Sequence, residues 1–458
     1  MTPFSTLSLS KDMLENLKNL GYDSMTAIQE EGIPPILAGH DILAQAKTGS
    51  GKTAAFGIGL LQNLKVERFR VQALVLCPTR ELAEQVTSEL RRIARFRHNI
   101  KILRITGGLP MHKQELSLKH QAHVVVGTPG RINKLLKRES LFLDEVKTVV
   151  LDEADRMLDM GFIEQIENIL KYTPAKRQTL CFSATFPEEI KKLSRNIQNK
   201  PREIAVETEH DPMVITQRFY EVPTQKKSSA VIALLAGYCP ESAIIFCNTK
   251  DVCRRLGNEL NEAGFHSLAL HGDLEQKERT EVLIRFSNRS SRILVATDVA
   301  ARGLDIDDLS AVINYDMPFE TENYVHRIGR TGRAGRDGLA FSLLKPGEGY
   351  RLNLINEFTQ GEFSVEPLKF EYKSDNSALE PTMVTISING GRKNKISAGD
   401  LLGALTSEEG IPGSDVGKID RLDNITFVAV KRKSAAAALR VLEHGLIKGR
   451  VFKVMIHD

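Results

Sequence analysis

Apolar residues along the chain gather into short unbroken runs separated by helical patterns. Ile42–Ala44, Ala73–Cys77, His123–Val126, Thr148–Leu151 and Thr179–Phe182 are such runs. They are continuous rather than alternating, the mark of strands covered on both faces. Strands alternating with helices predict a mostly parallel, doubly wound sheet. The series then restarts with Ala243–Cys247, Ser267–Leu270, Ile293–Ala296, Ala311–Ile313 and Leu339–Leu343, predicting a second α/β lobe. A polar, Pro-containing stretch from Asn199 to Pro212 lies between the series and reads as a linker. A second polar stretch, Pro367–Pro381, closes the second lobe. Beyond it Met383–Ile388, Lys418–Leu422, Thr426–Val430 and Val451–Ile456 read as strands, and Ala398–Leu405 and Ser434–His444 as helices. That β-α-β-β-α-β order suits a small ferredoxin-like α+β domain of the RNA-recognition type. The expected division is lobe one at 1–208, a linker at 209–214, lobe two at 215–366, a linker at 367–381 and a small domain at 382–458.

Composition narrows the class. Hydrophobic content of 41% and charged content of 26% over 458 residues are ordinary for a globular chain. No apolar run approaches the ~18 residues of a membrane span, and the N-terminus shows no secretory pattern. Five cysteines form no C-x-x-C pair, so no zinc site is expected. Cys77, Cys181 and Cys247 sit in strand runs as buried thiols, and a reducing, cytoplasmic setting is expected. Residues 382–458 hold 12 Lys and Arg against 8 Asp and Glu, which accounts for the whole net charge of +4. A polyanion partner is expected there.

The chemistry begins after the first run. Ala46-Lys47-Thr48-Gly49-Ser50-Gly51-Lys52-Thr53 lies between a strand and a helical pattern, the context of a phosphate-binding loop. Glycines let backbone N–H groups close around an anion, and the helix adds its positive end. Lys52 reaches the β and γ phosphates, and the Thr53 hydroxyl ligates Mg²⁺. The competing view is a turn that only caps a helix, which G-K-T in this context disfavours. The loop opens with Ala46 where the general pattern has Gly. After Val149-Val150-Leu151 come Asp152-Glu153-Ala154-Asp155. A strand-end carboxylate can hold the Mg²⁺ water shell and its neighbour can orient the attacking water. These roles go to Asp152 and Glu153; the bland alternative is an acidic helix start. Ser183-Ala184-Thr185 could sense the γ-phosphate and Asp155, or merely cap a helix.

Lobe two repeats the plan without the loop: Asn248-Thr249-Lys250-Asp251 follows its first strand. It carries instead His326-Arg327-Ile328-Gly329-Arg330-Thr331-Gly332-Arg333, read as an anion site or as a solvated basic turn. With one phosphate loop for two lobes, Arg330 and Arg333 become arginine fingers, a device worth roughly 10³–10⁵ in rate.

Taken together the motifs resemble the DEAD-box ATP-dependent RNA helicases of superfamily 2. The resemblance covers about residues 1–365 and runs in the family's order. It rests on Gly21-Tyr22 with Thr26–Gln29, Ala46–Thr53, Pro78–Leu82, Gly107-Gly108, Thr128–Arg131, Asp152–Asp155, Ser183–Thr185, His271-Gly272 with Gln276 and Arg279, Ala296–Asp305, and His326–Arg333. The C-terminal domain resembles that of the DbpA-type subfamily, carried by Met383–Lys395, Ala398–Leu405 and Asp415–Ile419. The resemblance implies two RecA-like lobes, ATP as substrate and Mg²⁺ as cofactor. Gln29 would read the adenine edge, and Tyr22 would stack on it with Phe4 in support. Asp305 would contact the ribose. Lys52, Asp152, Glu153, Arg330 and Arg333 would be catalytic. Ser183, Thr185, Asp155 and His326 would couple nucleotide to RNA. Thr79, Arg80, Gly108, Thr128, Gly130 and Arg131 would line RNA on lobe one. Gln276, Arg279, Thr297, Arg302 and Gly303 would do so on lobe two.

The C-terminal domain departs from the usual RNA-recognition pattern, offering only Phe427 where stacking aromatics sit. Phe427 is either a stacking platform or a core residue. RNA contact there is assigned to Arg392, Lys393, Lys395, Lys418, Lys431 and Arg432, with Arg421, Lys448, Arg450 and Lys453 as further candidates. The expected function is RNA-stimulated ATP hydrolysis driving local unwinding of 23S rRNA in pre-ribosomal particles, by a monomer, with an oligomer left open. Two alternatives stand beside it: a DNA helicase, and a nucleotide-gated RNA clamp with little unwinding.

Overall fold

The computed structural model describes residues 2–46, 49–205, 215–301, 306, 308–332, 337–368, 380–407 and 410–457. Seven strands build lobe one: β1 (Ile42–Gln45), β2 (Ala73–Leu76), β3 (Ile102–Ile105), β4 (Val124–Gly127), β5 (Thr148–Asp152), β6 (Gln178–Ser183) and β7 (Arg202–Ala205). They pair in the order β3-β4-β2-β5-β6-β1-β7, every pair parallel. Lobe two uses β8 (Ile215–Glu221), β9 (Ala243–Cys247), β10 (Ser267–Leu270), β11 (Ile293–Thr297), β12 (Ala311–Asn314), β13 (Gly338–Leu344) and β14 (Val365–Glu366). Their order is β10-β11-β9-β12-β13-β8-β14, again all parallel.

The continuous apolar runs explain the layering. Along β1, Ile42 and Ala44 enter one core with Val75, Val150 and Phe182. Leu43 enters the opposite core with Leu74, Leu76, Val149 and Cys181. Successive side chains point to opposite faces, so a strand feeding two cores must be apolar at every position. Helices begin where polar caps stand. The Thr79 hydroxyl accepts from Leu82 N at 3.2 Å, and the Thr249 hydroxyl from Val252 N at 3.3 Å.

Four strands fall outside the predicted series. β3 contains Arg104, β7 reads R-E-I-A and is mostly exposed, β8 is half-exposed, and β14 has two residues. The stretch expected to be linker from Asn199 is therefore corrected: Arg202–Ala205 is an edge strand paired with β1. An edge strand needs fewer apolar side chains, so its composition mimics a loop.

The third sheet is antiparallel, with β15 (Met383–Ile388), β16 (Val416–Arg421), β17 (Thr426–Lys431) and β18 (Val454–His457) in the order β16-β17-β15-β18. Helices Ala398–Leu405 and Ala435–His444 cover one face. The chain forms two compact units: the first holds lobe one, the second holds lobe two and this small domain.

Gly127 ends β4 where a Cβ would strike the Ile105 carbonyl of β3 and approach Ile132 Cδ1 to 2.8 Å. Gly127→Ala is expected to destabilise lobe one by about 1–3 kcal/mol through overpacking. A lower urea midpoint at unchanged slope is the confirming result.

Candidate active site and RNA-facing edges

The phosphate loop leaves β1 stapled to its neighbour, because Ala46 N donates to the Ser183 carbonyl at 2.8 Å. Gly49 and Gly51 take φ of 84° and 92°, the left-handed region that only glycine enters cheaply. A Cβ on Gly51 would collide with the Gln29 amide and the Thr26 hydroxyl. Those two side chains brace the loop from behind. Thr26 Oγ1 donates to Ser50 O at 2.8 Å and Gln29 Nε2 to Gly51 O at 3.1 Å, while Thr26 N donates to Gln29 Oε1 at 2.9 Å. Phe4 is buried and meets the half-buried Tyr22 edge-on, centroids 6.0 Å apart. The Tyr22 hydroxyl donates to Glu89, and burial with that bond raises its pKa. Lys47 and Thr48 lie outside the described residues.

Lys52 opens the next helix and is 4% exposed. Its Nζ stands 3.1 Å from Asp152 Oδ1 and 3.6 Å from Glu153 Oε1. Burial opposes the ammonium, yet Asp152 and Glu153 outweigh it and the Lys52 pKa rises. Burial lifts the Asp152 pKa, Lys52 pulls it down, and Glu153 pushes it up again; the net is upward. Apart from the Lys52 pair, both Asp152 oxygens are buried with no hydrogen bond among the described residues. Glu153 holds φ 56° and ψ 56°, a conformation costing a non-glycine residue about 1–3 kcal/mol. Arg156 Nη1 pairs with Glu153 Oε2 at 3.0 Å.

Asp155 ties this cluster to the end of β6. Its Oδ2 accepts from Ala184 N at 2.9 Å, Thr185 N at 3.1 Å and Thr185 Oγ1 at 3.4 Å. In return Asp155 N donates to Ser183 Oγ at 3.2 Å, and that hydroxyl donates to Thr185 O at 2.7 Å. The expected partnership of Asp155 with Ser183 and Thr185 is present in the fold, and the capping alternative is not needed to explain these hydroxyls.

The polar groups assigned to RNA on lobe one follow β2, β3 and β4, the three strands at the other end of the sheet. Thr79 caps the helix Arg80–Ile93 and Thr128 starts the helix Pro129–Lys137. Gly108 takes φ 79°. Arg131 Nη1 donates to Leu109 O at 2.9 Å and Gln114 Oε1 at 3.0 Å. Burial, then the nearby Arg80 charge, lowers the Arg131 pKa. Arg80 stands against Gly107, where a Cβ would meet its Nη2 at 3.0 Å. A Cβ on Gly130 would meet Gln165 Oε1 at 3.4 Å.

In lobe two the four-cation segment divides. Arg327 is 2% exposed and turns inward. Its Nε and Nη2 clasp Asp298 at 2.7 and 2.6 Å, Nη1 donates to Asn314 Oδ1 at 3.1 Å and Asp316 O at 2.6 Å, and Nη2 also reaches Asn248 Oδ1 at 3.0 Å. Its guanidinium lies over the Phe246 ring at 5.0 Å. The segment is thus neither a uniform anion site nor a solvated turn, and no signal in the sequence singled out this hub. Arg330 is 7% exposed and is held by its backbone, donating to Arg327 O at 3.2 Å. His326 lies on the same helix, Thr321–Ile328. Gln276 and Arg279 lie on the helix Gln276–Ser287, with Arg279 Nη2 donating to Ala300 O at 2.6 Å. Thr297 ends β11 and is nearly buried. Arg302, Gly303, Asp305 and Arg333 lie outside the described residues.

The C-terminal cations do not form one patch. Arg392, Lys393, Lys395, Lys448 and Arg450 are exposed at the loop end of the sheet, where Lys448 Nζ donates to Lys395 O at 3.1 Å. Lys431 and Lys433 lie at the opposite end, paired to Asp415 at 2.8 and 3.2 Å, and Arg432 Nε donates to Pro381 O at 2.7 Å. Lys418 is engaged with Ser287 of lobe two at 2.8 Å. Phe427 is 2% exposed and lies on the sheet face opposite the domain's own core.

Residues 26–193 match the DEAD/DEAH box helicase model, 226–335 the helicase conserved C-terminal domain, and 385–456 the DbpA RNA binding domain. The chain is 48% identical to the ATP-dependent RNA helicase DbpA of Escherichia coli (strain K12), covering 100% of both. It is 38% identical to that of Bacillus subtilis (strain 168), covering 99% of both. S. cerevisiae Dbp5 bound to RNA and ADP BeF3 superposes with a TM-score of 0.73 at 30% identity, over 81% of this chain and 96% of that one. Mss116p bound to ssRNA and AMP-PNP gives 0.70 at 30% identity, over 81% and 80%.

Arg327→Ala leaves Asp298 and the buried Asn314 without their partner. Removing one member of a buried ion pair costs about 3–5 kcal/mol. The expected result is a large fall in the denaturant midpoint of lobe two, with lobe one unchanged.

Proposed function

The chain belongs to the DEAD-box ATP-dependent RNA helicases and carries a DbpA-type RNA-binding domain, and we propose that it remodels large-subunit ribosomal RNA during assembly of that subunit. ATP hydrolysis and RNA action come with the family. The ribosomal target is supported by the exposed basic end of the C-terminal domain, Arg392, Lys393, Lys395, Lys448 and Arg450. A cytoplasmic monomer is the setting we infer; no described helix is long and apolar enough to cross a membrane.

The observation that carries the mechanism is the Lys52–Asp152–Glu153 cluster at the end of β5. In this proposal the loop N–H groups from Ala46 to Thr53, Lys47 and Thr48 among them, cradle the phosphates. Gln29 keeps one amide N–H and one lone pair beyond its bonds to the loop, enough for a bidentate contact with adenine. Tyr22 stacks, Phe4 supports it, and Asp305 meets the ribose. Thr53 and Asp152 would hold Mg²⁺, partly through water; Asp152's buried, unsatisfied oxygens suit a hard cation. When bound, Mg²⁺ neutralises charge on the β and γ oxygens. Glu153 takes the proton as a water oxygen attacks the γ-phosphorus and the bond to the β–γ bridging oxygen breaks. Arg330 and Arg333 stabilise the charge that develops.

RNA enters as the second requirement. Thr79, Arg80, Gly108, Thr128, Gly130 and Arg131 on lobe one, and Gln276, Arg279, Thr297, Arg302 and Gly303 on lobe two, grip one strand by phosphate and 2′-OH. ATP and RNA together close the lobes. The closed grip bends that strand, a continuous duplex cannot follow, and a few base pairs open. Each stacked step is worth about 1.4 kcal/mol (a DNA value), so a short duplex separates without translocation. Asp155, Ser183, Thr185 and His326 pass the nucleotide state to the RNA side.

Glu153→Gln is expected to abolish turnover while ATP and RNA remain bound, read by ATPase assay and by fluorescence anisotropy of a labelled RNA. Turnover at the native rate would remove Glu153 from its role. Deleting residues 382–458 is expected to keep ATPase stimulation by poly(U) but to raise the KM for large-subunit rRNA by about tenfold or more. A strand-displacement assay on the full chain separates an unwinder from a clamp, and we expect displacement.

A further inference from the structure

Both faces of the C-terminal sheet are buried. Val384, Ile386, Ile388, Val428 and Val430 point into the domain's own core. Strand alternation sends Thr385, Ser387, Phe427 and His457 to the other side, where register sets Ser387 beside Phe427 and Thr385 beside His457. In a two-layer domain that side meets solvent. Here Thr385 is 0% exposed and His457 is 7% exposed.

Lobe two is the cover, within one compact unit. Ser290 Oγ and Thr385 Oγ1 share a hydrogen bond of 2.7 Å, and Asn288 Nδ2 donates to Thr385 Oγ1 at 3.3 Å. The His457 ring bridges the two bodies, with Nδ1 3.1 Å from Glu281 Oε1 and Nε2 2.8 Å from Ser387 Oγ. Burial lowers the His457 pKa, Glu281 pulls it up and Arg285 pushes it down, with a net fall. The neutral ring donates from Nδ1 to Glu281 and accepts from Ser387 at Nε2.

An apolar contact tolerates sliding and rotation. A buried polar seam does not, because each group displaced from its partner is left unsatisfied. The lobe-two half of the seam also sits on one element. Glu281 lies within the helix Gln276–Ser287, and Asn288 and Ser290 follow directly. The same helix begins with Gln276 and Arg279. At 1.5 Å per residue its twelve residues make a rod of about 18 Å.

We propose that this seam locks the C-terminal domain in one orientation on lobe two, so that Ser290, Thr385, Glu281 and His457 are positioning residues for the RNA substrate. They set where an RNA element captured by the C-terminal domain lies relative to the strand gripped from Gln276 and Arg279. The lock removes the sheet face from RNA binding and leaves the exposed loop end for capture. The inference rests on the reading above that the C-terminal domain captures rRNA.

The test uses the full chain with Cys239→Ser, dyes at Arg254→Cys and Arg440→Cys, and two RNA probes, purified large-subunit rRNA and poly(U). Single-molecule energy transfer should give one narrow distance, kept by Thr385→Ser and broadened by Ser290→Arg. Glu281→Lys, at a part-exposed position, serves as a second disruptor should Ser290→Arg misfold. In the broadened variant, the KM for rRNA should stay within about twofold. Its rRNA-driven kcat should fall at least about fivefold, the low end of ordinary coupling between sites. Its poly(U)-driven kcat should not change. A broad distance in the unaltered chain overturns the proposal, as does an undiminished rRNA-driven kcat after broadening, or a loss expressed in KM instead of kcat. Failure of the capture reading shows separately, as an unchanged rRNA KM after removal of residues 382–458.

Discussion

One buried ammonium facing two carboxylates sets the terms for lobe one. Lys52 follows β1, whereas Asp152 and Glu153 end β5, and β6 runs between those strands. The gap is two strand spacings, about 9–10 Å, which a lysine stem spans and a shorter side chain does not. Three charges out of water are expensive, and one cation does not balance two anions. The cluster therefore favours a ligand that brings both negative phosphate and a neutralising cation. β6 is more than a spacer: Ser183 at its end meets Asp155, so the middle strand of the gap reports on its outer one.

Lobe two solves a different problem with arginine. Arg327 gathers Asp298, Asn314, Asp316 and Asn248 from the ends of β11, β12 and β9 around a planar fork. Five rigid donors suit that task, and a lysine's point charge would not. With β9, β11 and β12 pinned at one place, the helix that follows β12 leaves at a fixed angle. Arg330 is held by its backbone one turn further on. The two lobes share a plan yet place opposite charges at its centre.

Much of this was legible in the residues. Continuous apolar runs located ten of the strands in the parallel sheets, because a strand covered on both faces admits no polar interruption. Edge strands such as β7 were lost, since half-exposed residues carry a loop's composition. Loop, carboxylates and hydroxyls were legible because their chemistry is tied to spacing. The inward turn of Arg327 was not, since a basic residue among basic residues looks alike whether it faces solvent or core. Nor was the split of the C-terminal cations, which depends on sheet order: Lys395 and Lys431 both flank the central hairpin partners but at opposite ends. Phe427 was left open between two fates and met a third, buried against a neighbouring lobe.

The register of β1 has a bearing on how the molecule is made. Its two neighbours are β6 and β7, which begin at Gln178 and Arg202. While the ribosome is still translating the middle of the lobe, β1 has no edge to join. Nascent chains emerge at about 5–20 residues per second, so for several seconds this strand and its glycine loop stay outside any finished sheet. Nucleotide cannot assist folding early, because the cradle that would hold it is closed by the last strands to appear. A translational pause placed after Ala205 would favour completion of the lobe, and one placed before Gln178 would prolong the exposure of an apolar strand to chaperones and to aggregation.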